Sequence, residues 1–179
     1  MTATLSAGVP AVRRLATLTP PQHQALAELL IDCVEGGASV SFMHPLDLPK
    51  ALDFWARVAA DAARGARALL VAEDERGIVA TVQLVLEQPE NQPHRADVSK
   101  MLVHRRARRK GLGAALMRAA EQLGRACGKS LLVLDTASGD AERLYARLGW
   151  QLCGVIPGYA LLPQGGLCAT RYFYRTLGD

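Results

Sequence analysis

The residues best suited to chemistry lie in a basic, glycine-containing segment, residues 105–113. Five of its first six residues are arginine or lysine, and Gly111 and Gly113 follow. An amphipathic helical pattern begins at Leu112, so the glycines lie at a helix start. The first N–H groups of a helix lack acceptors within it and carry partial positive charge. Because glycine lets an anion approach these groups and the cations neutralise it, the segment is predicted to bind a polyphosphate.

The spacing separates this turn from two other phosphate-binding motifs. It matches neither G-x-G-x-x-G nor G-x-x-x-x-G-K-[ST], so the dinucleotide and P-loop interpretations are set aside. Arg105 and Arg106 have an equal alternative as a solvated run of charge. The residues predicted to hold the phosphates are Arg108, Arg109, Lys110, Gly111, Leu112, Gly113 and Ala114.

Two further side chains are candidates for proton chemistry. Tyr145 shares one face of a predicted helix with Ala141 and Leu148 and is expected to point inward, where a purely structural tyrosine would lie as well. Asp135 ends a predicted buried strand, at the carboxyl edge where open α/β sheets place ligands. A capping role for Asp135 at a helix or turn is an equal alternative.

Composition limits the class of protein. The chain has 179 residues, half of them hydrophobic, which suits one domain over residues 11–179 after a flexible lead-in at 1–10. A net charge of +4 is compatible with nucleic-acid binding, but the cations concentrate in one turn without interleaved aromatics. We therefore expect no nucleic-acid partner.

Cysteines and histidines predict no metal site. None of them shows ligand spacing, and we expect the cysteines to be reduced. A basic start followed by an apolar stretch is absent, as is any run of 18 apolar residues, so a soluble cytoplasmic protein without membrane contact is expected. The residues concerned are Cys33, Cys127, Cys153 and Cys168, and His23, His44, His94 and His104.

Hydrophobic periodicity predicts the elements that position these residues. An edge strand is expected at 12–18, followed by a helix from Pro20, capped by Thr19, and a second helix from Pro49 to near Gly65. A hairpin at 68–72 and 78–86 comes next. The central unit is strand 98–103, the basic turn, a helix to about 127, strand 130–135 and helix 140–148. Strands to about 156 and at 168–176 close a mixed α/β sheet, with parallel pairing in the central unit.

Two motifs in this order resemble the GNAT acetyltransferase superfamily. Arg108-x-x-Gly111-x-Gly113 directly after a strand is similar to its acyl-CoA pyrophosphate turn. Ala141-x-x-x-Tyr145-x-x-x-Gly149-Trp150 resembles the helix and turn whose tyrosine faces the CoA sulfur. The likeness covers about residues 68–177. A closer likeness, to tabtoxin-resistance acetyltransferases, spans nearly the whole chain and includes segments 36–40, 134–136, 157–159 and 176–178.

The resemblance implies a fold and a cofactor site. The fold is α/β (α+β), with six to seven strands in a mixed sheet, an antiparallel N-terminal part, a parallel pair splayed around acetyl-CoA, and about four helices. Backbone near Met101 and Val103 is implied to pair with the pantetheine arm, and Leu102 between them is implied to belong to the cofactor site. Tyr145 is implied to be the acid for the thiolate or the group that orients the thiol. Ser138 stands where many relatives have an asparagine that bonds the pantetheine, which leaves that contact open.

The resemblance also implies the reaction. Acetyl-CoA would donate its acetyl group directly to an amine, with no covalent enzyme intermediate and no metal. Asp97 would lie near the acceptor amine, and a water would bridge because relatives commonly carry the longer glutamate; Glu87 is a weaker candidate base. A homodimer is implied because dimers are frequent among relatives.

The acceptor is expected to be a small amine, and the closer likeness suggests an amino-acid-like or β-lactam toxin. Polyamines, aminoglycosides and protein N-termini are alternatives, as are a non-catalytic CoA sensor and a nucleic-acid module. Specificity would come from residues 36–47 and 157–166.

Overall fold

The computed structural model describes residues 10–178, which form seven strands and four α-helices. The predicted lead-in at 1–10 lies outside this range, apart from Pro10. The strands are β1 (Val12–Leu15), β2 (Arg67–Asp74), β3 (Gly77–Val85), β4 (Arg95–Val103), β5 (Leu131–Thr136), β6 (Gln151–Leu161) and β7 (Leu167–Thr176). The helices are α1 (Pro20–Glu35), α2 (Leu48–Ala63), α3 (Leu112–Ala126) and α4 (Gly139–Arg147), and a single 3₁₀ turn covers Arg105–Ala107.

Each of the first two helices begins after a residue whose side chain caps it, Thr19 for α1 and Asp47 for α2, which starts at Leu48 rather than at the predicted Pro49. Thr19 accepts a hydrogen bond from the Gln22 N–H, and the Gln22 side chain accepts from the Thr19 N–H, which completes a capping box at α1. Asp47 caps α2 by accepting from the Lys50 N–H at 2.8 Å. The predicted N-cap at Thr19 is therefore confirmed.

One mixed sheet joins all seven strands in the order β1-β2-β3-β4-β5-β7-β6. Neighbours pair antiparallel except β4 and β5, which are parallel. The predicted fold, a GNAT-type mixed sheet with an antiparallel N-terminal part and one parallel pair, is confirmed.

Apolar side chains bury both faces of the sheet. On one face, α3 and α4 pack over residues such as Val82, Leu84 and Leu132. On the other face, α1 and α2 pack over Leu69, Val71 and their neighbours. Because strand side chains alternate between faces, β2, β3 and β4 each contribute to both cores. The two faces of the sheet can therefore carry different functions.

The parallel pair β4–β5 is short. It extends only from Arg95–Leu131 to Asp97–Val133, after which β5 continues alongside β7. The edge of β4 that faces β5 therefore lacks a partner strand from Val98 onward, and its backbone groups are open to a ligand. On the other edge, the register with β3 shifts between Thr81 and Gln83, which marks a bulge in β4.

The sequence placed the end of β6 too early. A strand to about 156 and then a turn were predicted, but β6 runs through Pro157 and Gly158 to Leu161, with its register to β7 shifted between Ile156 and Ala160. Pro157 is tolerated because β6 is the last strand of the sheet and needs no donor on its outer side. Gly158, with φ of 60°, accommodates the bulge.

A buried hydrogen bond ties α3 to the turn after α4. Trp150 Nε1 donates to Glu121 Oε1 at 2.9 Å, and both side chains are buried. Trp55 is also buried, but its Nε1 has no hydrogen-bond partner among residues 10–178. The two tryptophans thus form a matched pair for measuring this bond.

We expect Trp150→Phe to lower the free energy of unfolding by about 2 kcal/mol more than Trp55→Phe does, because only the former removes a hydrogen bond to a buried carboxylate, which keeps just its longer ion pair with Arg175 at 3.8 Å. Urea denaturation of both variants measures the difference. Equal losses would show that the bond to Glu121 contributes no net stability.

Candidate active site

The basic turn forms an open helix N-terminus. The chain leaves the 3₁₀ turn, passes through Arg109 with φ of 61° and enters α3 after Gly111, whose φ is 80°. Gly111 is the N-cap, and no side chain accepts a hydrogen bond from the first N–H groups of α3. These donors line a cavity together with Arg108 and Arg109. The arrangement suits a phosphate group.

The two arginines that begin the turn are occupied by carboxylates. Arg105 donates to Asp32 through its N–H at 2.9 Å and its Nε at 2.7 Å, and reaches Glu35 at 3.1 Å. Arg106 pairs with Asp74. Burial raises the pKa of Asp32, but the hydrogen bonds from Arg105 outweigh it, and the pKa lies below its ordinary value. These arginines therefore anchor the turn to α1 and to the β2–β3 hairpin.

The remaining cations of the turn are less constrained. Arg108 Nε donates to the Val103 carbonyl at 3.1 Å. Neither Arg109 nor Lys110 has a side-chain hydrogen bond or ion pair with the described residues. Arg109 lines the cavity and is thus available to a ligand there, whereas Lys110, although predicted as a phosphate-binding residue, is not among the residues that line it.

Gly113 has a packing role that the sequence did not reveal. A Cβ there would lie 2.9 Å from Leu144 Cδ2 and 3.8 Å from Met101 Sδ. The absent side chain lets α3 approach α4 and β4 beneath the turn. Access for a phosphate is therefore not the only reason for a glycine at position 113.

A cavity of about 810 Å³ connects the turn to the open edge of β4. Its walls come from residues 36–41, β4, the end of β5 and α4, and it includes Met101, Leu102 and Val103. Tyr145 and Asp135 line this same cavity. The structure therefore brings together the predicted phosphate turn, the predicted strand edge and two of the three predicted catalytic side chains.

Asp97 lies beside the cavity that contains Tyr145, rather than within it. It lines a smaller cavity of about 290 Å³, together with Ser99, Asp135 and Tyr172. Its carboxylate is held by Arg95 and accepts from Gln88 Nε2 at 3.0 Å. Asp135 borders both cavities and accepts from Thr170 Oγ1 at 2.8 Å. Asp135 is thus the base candidate that lines the same cavity as Tyr145, whereas Asp97 lines only the smaller cavity.

The cap of α4 and one ion pair bear on two of the alternatives left by the sequence. Ser138, rather than Asp135, caps α4 by accepting from the Ala141 N–H. Glu87 pairs with Arg64 at 2.7 Å and lines neither cavity. The carboxylate of Asp135 is therefore not used to start the helix.

Tyr145 is buried between aromatic rings with its ring centroid 6.0 Å from that of Trp150 and 5.7 Å from that of Phe173. Its hydroxyl makes no hydrogen bond within residues 10–178. Burial, and secondarily the negative charge of Asp135, raises the pKa of the phenol far above its ordinary value. Tyr145 therefore presents a neutral O–H donor at the cavity.

Lys100 and Thr170 also line the cavity, and neither is a site residue predicted from the sequence. A lysine within the apolar-rich run at 98–103 was the available signal for Lys100. Thr170 gave no signal, because its proximity to Asp135 depends on the pairing of β5 with β7.

No helix within the described range is both long and apolar enough to cross a membrane. In the same range, no group of three or more histidine, cysteine, aspartate or glutamate side chains is arranged to hold a metal ion.

Comparisons with known proteins identify a family and similar folds. A model of the Acetyltransferase (GNAT) family matches residues 23–150. The ribosomal-protein-alanine N-acetyltransferase of Brucella melitensis superposes with a TM-score of 0.78 at 21% identity, covering 93% of this chain and 99% of that one. The phosphinothricin acetyltransferase of Sinorhizobium meliloti, solved in complex with acetyl-CoA, gives a TM-score of 0.79 at 20% identity, covering 95% and 89%. The protein yncA of Salmonella typhimurium, solved with its cofactor acetyl-CoA, gives 0.77 at 18%, covering 95% of each chain.

The raised pKa of Tyr145 has a direct spectroscopic consequence. Because the folded state favours the neutral phenol, Tyr145 should remain protonated until the protein unfolds at alkaline pH. Absorbance titrations at 295 nm of the wild type and of Tyr145→Phe should coincide up to that point and then differ by one tyrosine. A difference of one phenolate appearing below pH ~10.5, near the ordinary tyrosine pKa, would contradict the buried environment described for Tyr145.

Proposed function

The chain belongs to the GNAT family of acetyltransferases, and we propose that it transfers the acetyl group of acetyl-CoA directly to the amine of a small molecule. It is an acyltransferase with acetyl-CoA as co-substrate. The observation that carries the proposal is the convergence of an open helix start, an unpaired strand edge, Tyr145 and Asp135 on one cavity.

The site residues fit the parts of acetyl-CoA. The open N–H groups after Gly111, with Arg109 and Lys110, suit the diphosphate. The edge of β4 suits the amide groups of the pantetheine arm, which can pair with it as an added strand would. Of the predicted pairing groups, the Val103 carbonyl already accepts from Arg108. The His104 N–H donates to the Val79 carbonyl, so strand alternation directs the backbone groups of Leu102 toward β3 and those of Val103 toward the open edge. Pairing is therefore proposed to depend most on Met101 and on the Val103 N–H.

Transfer to an amine requires removal of a proton. An alkylamine with a pKa of about 10 is almost wholly protonated at neutral pH and cannot attack a thioester in that form. We assign the base to Asp135, which faces the cavity and is oriented by Thr170. Asp97, in the adjoining smaller cavity, would receive the proton only through Asp135 or water.

Tyr145 is proposed to act on the departing sulfur. Since its pKa is raised, complete proton transfer from the phenol is unfavourable, whereas donation of a hydrogen bond to the thiolate is not. We therefore favour the orienting and stabilising role over that of a full acid.

The acceptor follows from the closer resemblance noted in the sequence. Likeness to tabtoxin-resistance acetyltransferases supports an amino-acid-like or β-lactam toxin, whose acetylation would confer resistance. A cytoplasmic location agrees with the use of acetyl-CoA, an intracellular metabolite. The nucleic-acid alternative is weakened because carboxylates of the chain itself neutralise Arg105 and Arg106.

Release of free thiol from acetyl-CoA tests the function directly. The purified chain is incubated with a panel of amines that includes a tabtoxin-type β-lactam, amino acids, polyamines and aminoglycosides. We expect thiol release with at least one class and a raised melting temperature with acetyl-CoA alone. The absence of both effects at millimolar acetyl-CoA would contradict the proposal.

Gly111 provides a test of the diphosphate site with an internal control. Gly111 and Gly128 have φ of 80° and 70° at the two ends of α3, so a valine at either position introduces similar backbone strain. We expect both variants to lose about 1–2 kcal/mol of stability. Only Gly111→Val should weaken acetyl-CoA binding, by about tenfold or more, as measured by isothermal titration calorimetry. Equal affinities of the two variants would exclude the turn as the diphosphate site.

The two aspartates can be separated by substitution with asparagine. Asp135→Asn should lower kcat by about 100-fold with little change in the Kd for acetyl-CoA. Asp97→Asn should lower kcat by less than about tenfold, because the Asp135 carboxylate remains in the cavity that contains Tyr145. The reverse order of effects would show that Asp97, rather than Asp135, is the base.

A further inference from the structure

Lys100 projects from the bulge in β4 toward the face that α1 and α2 cover. Ser99 pairs with Gln83 and Leu102 pairs with Thr81, so Lys100 and Met101 together oppose one residue of β3. Lys100 has φ of 50°, which is uncommon for a residue with a side chain. The sheet thus holds Lys100 in a strained conformation, and Lys100 lines the cavity of about 810 Å³ that also contains Tyr145.

The surroundings of the Lys100 ammonium are unusual for a cation. Its Nζ donates to Ser41 Oγ at 3.2 Å and lies 5.8 Å from the centroid of the Phe54 ring. No carboxylate of the described residues lies within 4 Å of it, whereas Arg67, Arg95, Arg105 and Arg106 each have such a partner. A half-buried ammonium with two donors unused favours an anion from outside the chain.

Charged groups of both signs lie near Lys100. Burial lowers the pKa of Lys100, the negative charge of Asp135 opposes this shift, and the positive charge of Arg67 adds to it. Leu132 and Leu134 face α3, so strand alternation places Asp135 on the same face of the sheet as Lys100. A cation and a carboxylate thus line one cavity on one face.

Lys100 is not placed to bind the phosphates of acetyl-CoA. The proposed diphosphate site is the start of α3, which packs on the opposite face, where Met101 Sδ lies 3.8 Å from the Cβ position of Gly113. Lys100 lies on the other side of the strand, next to residues 38–42 of the loop that follows α1. This is the side left for the acceptor.

We propose that Lys100 binds a carboxylate of the acceptor, so that the substrate is an amino-acid-type zwitterion whose amine lies toward Asp135. The proposal rests on the proposed acetyl transfer for the identity of the second substrate. The hydroxyl of Ser41 orients the ammonium, and Phe54 shields it from water on one side. The carboxylate supplies the missing counter-charge.

A purely structural role for Lys100, tying the loop to β4, makes a different prediction. In that case Lys100→Gln and Ser41→Ala would act alike, since both remove the same hydrogen bond. They would also affect charged and uncharged acceptors equally. Recognition of a carboxylate instead requires the positive charge, which Ser41→Ala retains.

The experiment compares amino acids with their primary amides, which keep the amine and side chain but lack the negative charge. Thiol release gives kcat/KM for each pair in the wild type, Lys100→Gln, Lys100→Arg and Ser41→Ala. Calorimetry with the protein saturated with free CoA measures binding of the same compounds without turnover.

We expect the wild type to prefer the carboxylate member at least tenfold. Lys100→Gln should lower its kcat/KM by about 100-fold, mainly through KM, and leave the amide within about threefold. Lys100→Arg should restore much of the preference, and Ser41→Ala should keep it. Equal losses for acid and amide in Lys100→Gln, or no preference in the wild type, would overturn the proposal.

The two readouts separate this inference from the proposed function. Thiol release without any preference that depends on Lys100 would refute the carboxylate site and leave acetyl transfer intact. Carboxylate binding that depends on Lys100, without thiol release from any amine, would support the site and refute the transfer. The absence of any such binding would overturn the inference whatever the activity.

Discussion

The interruption of pairing between β4 and β5 is the constraint on which the rest of the structure depends. The strands share only the three residue pairs from Arg95–Leu131 to Asp97–Val133, after which β5 stays with β7. Unpaired backbone groups at a strand edge can form hydrogen bonds with a ligand. Within a cavity they favour an extended ligand that carries amide groups. The opening also exposes side chains that a continuous sheet would bury.

The two faces of the sheet divide the proposed work. On the α3 face, the open helix start and the packing of Gly113 against Leu144 form a surface for the nucleotide end of acetyl-CoA. On the α1–α2 face, the bulge in β4 presents Lys100 to the space left for the acceptor. Asp135 and Tyr145 lie where the two regions meet, close enough that the charge of Asp135 adds to the burial that raises the pKa of Tyr145. The reaction is therefore proposed to occur at the point where β4 and β5 separate.

Local patterns predicted the elements of the fold, but contacts between distant segments could not be predicted. The helices and strands follow from periodicity, caps and glycines, as at Thr19 and Gly111. The continuation of β6 through Pro157 was missed because tolerance of a proline depends on being at the sheet edge. The carboxylate partners of Arg105 lie 70 and 73 residues away in the sequence, and Thr170 is 35 residues from Asp135. Such pairs arise from the sheet order, which no local pattern contains.

The most direct test of this account is a crystal structure of the protein with acetyl-CoA. We predict the diphosphate within ~3 Å of the N–H groups that follow Gly111, the pantetheine arm along Met101 and Val103, and the sulfur next to the Tyr145 hydroxyl. A structure in which acetyl-CoA binds elsewhere, with the edge of β4 unchanged and without contact to the turn, would contradict the central claim.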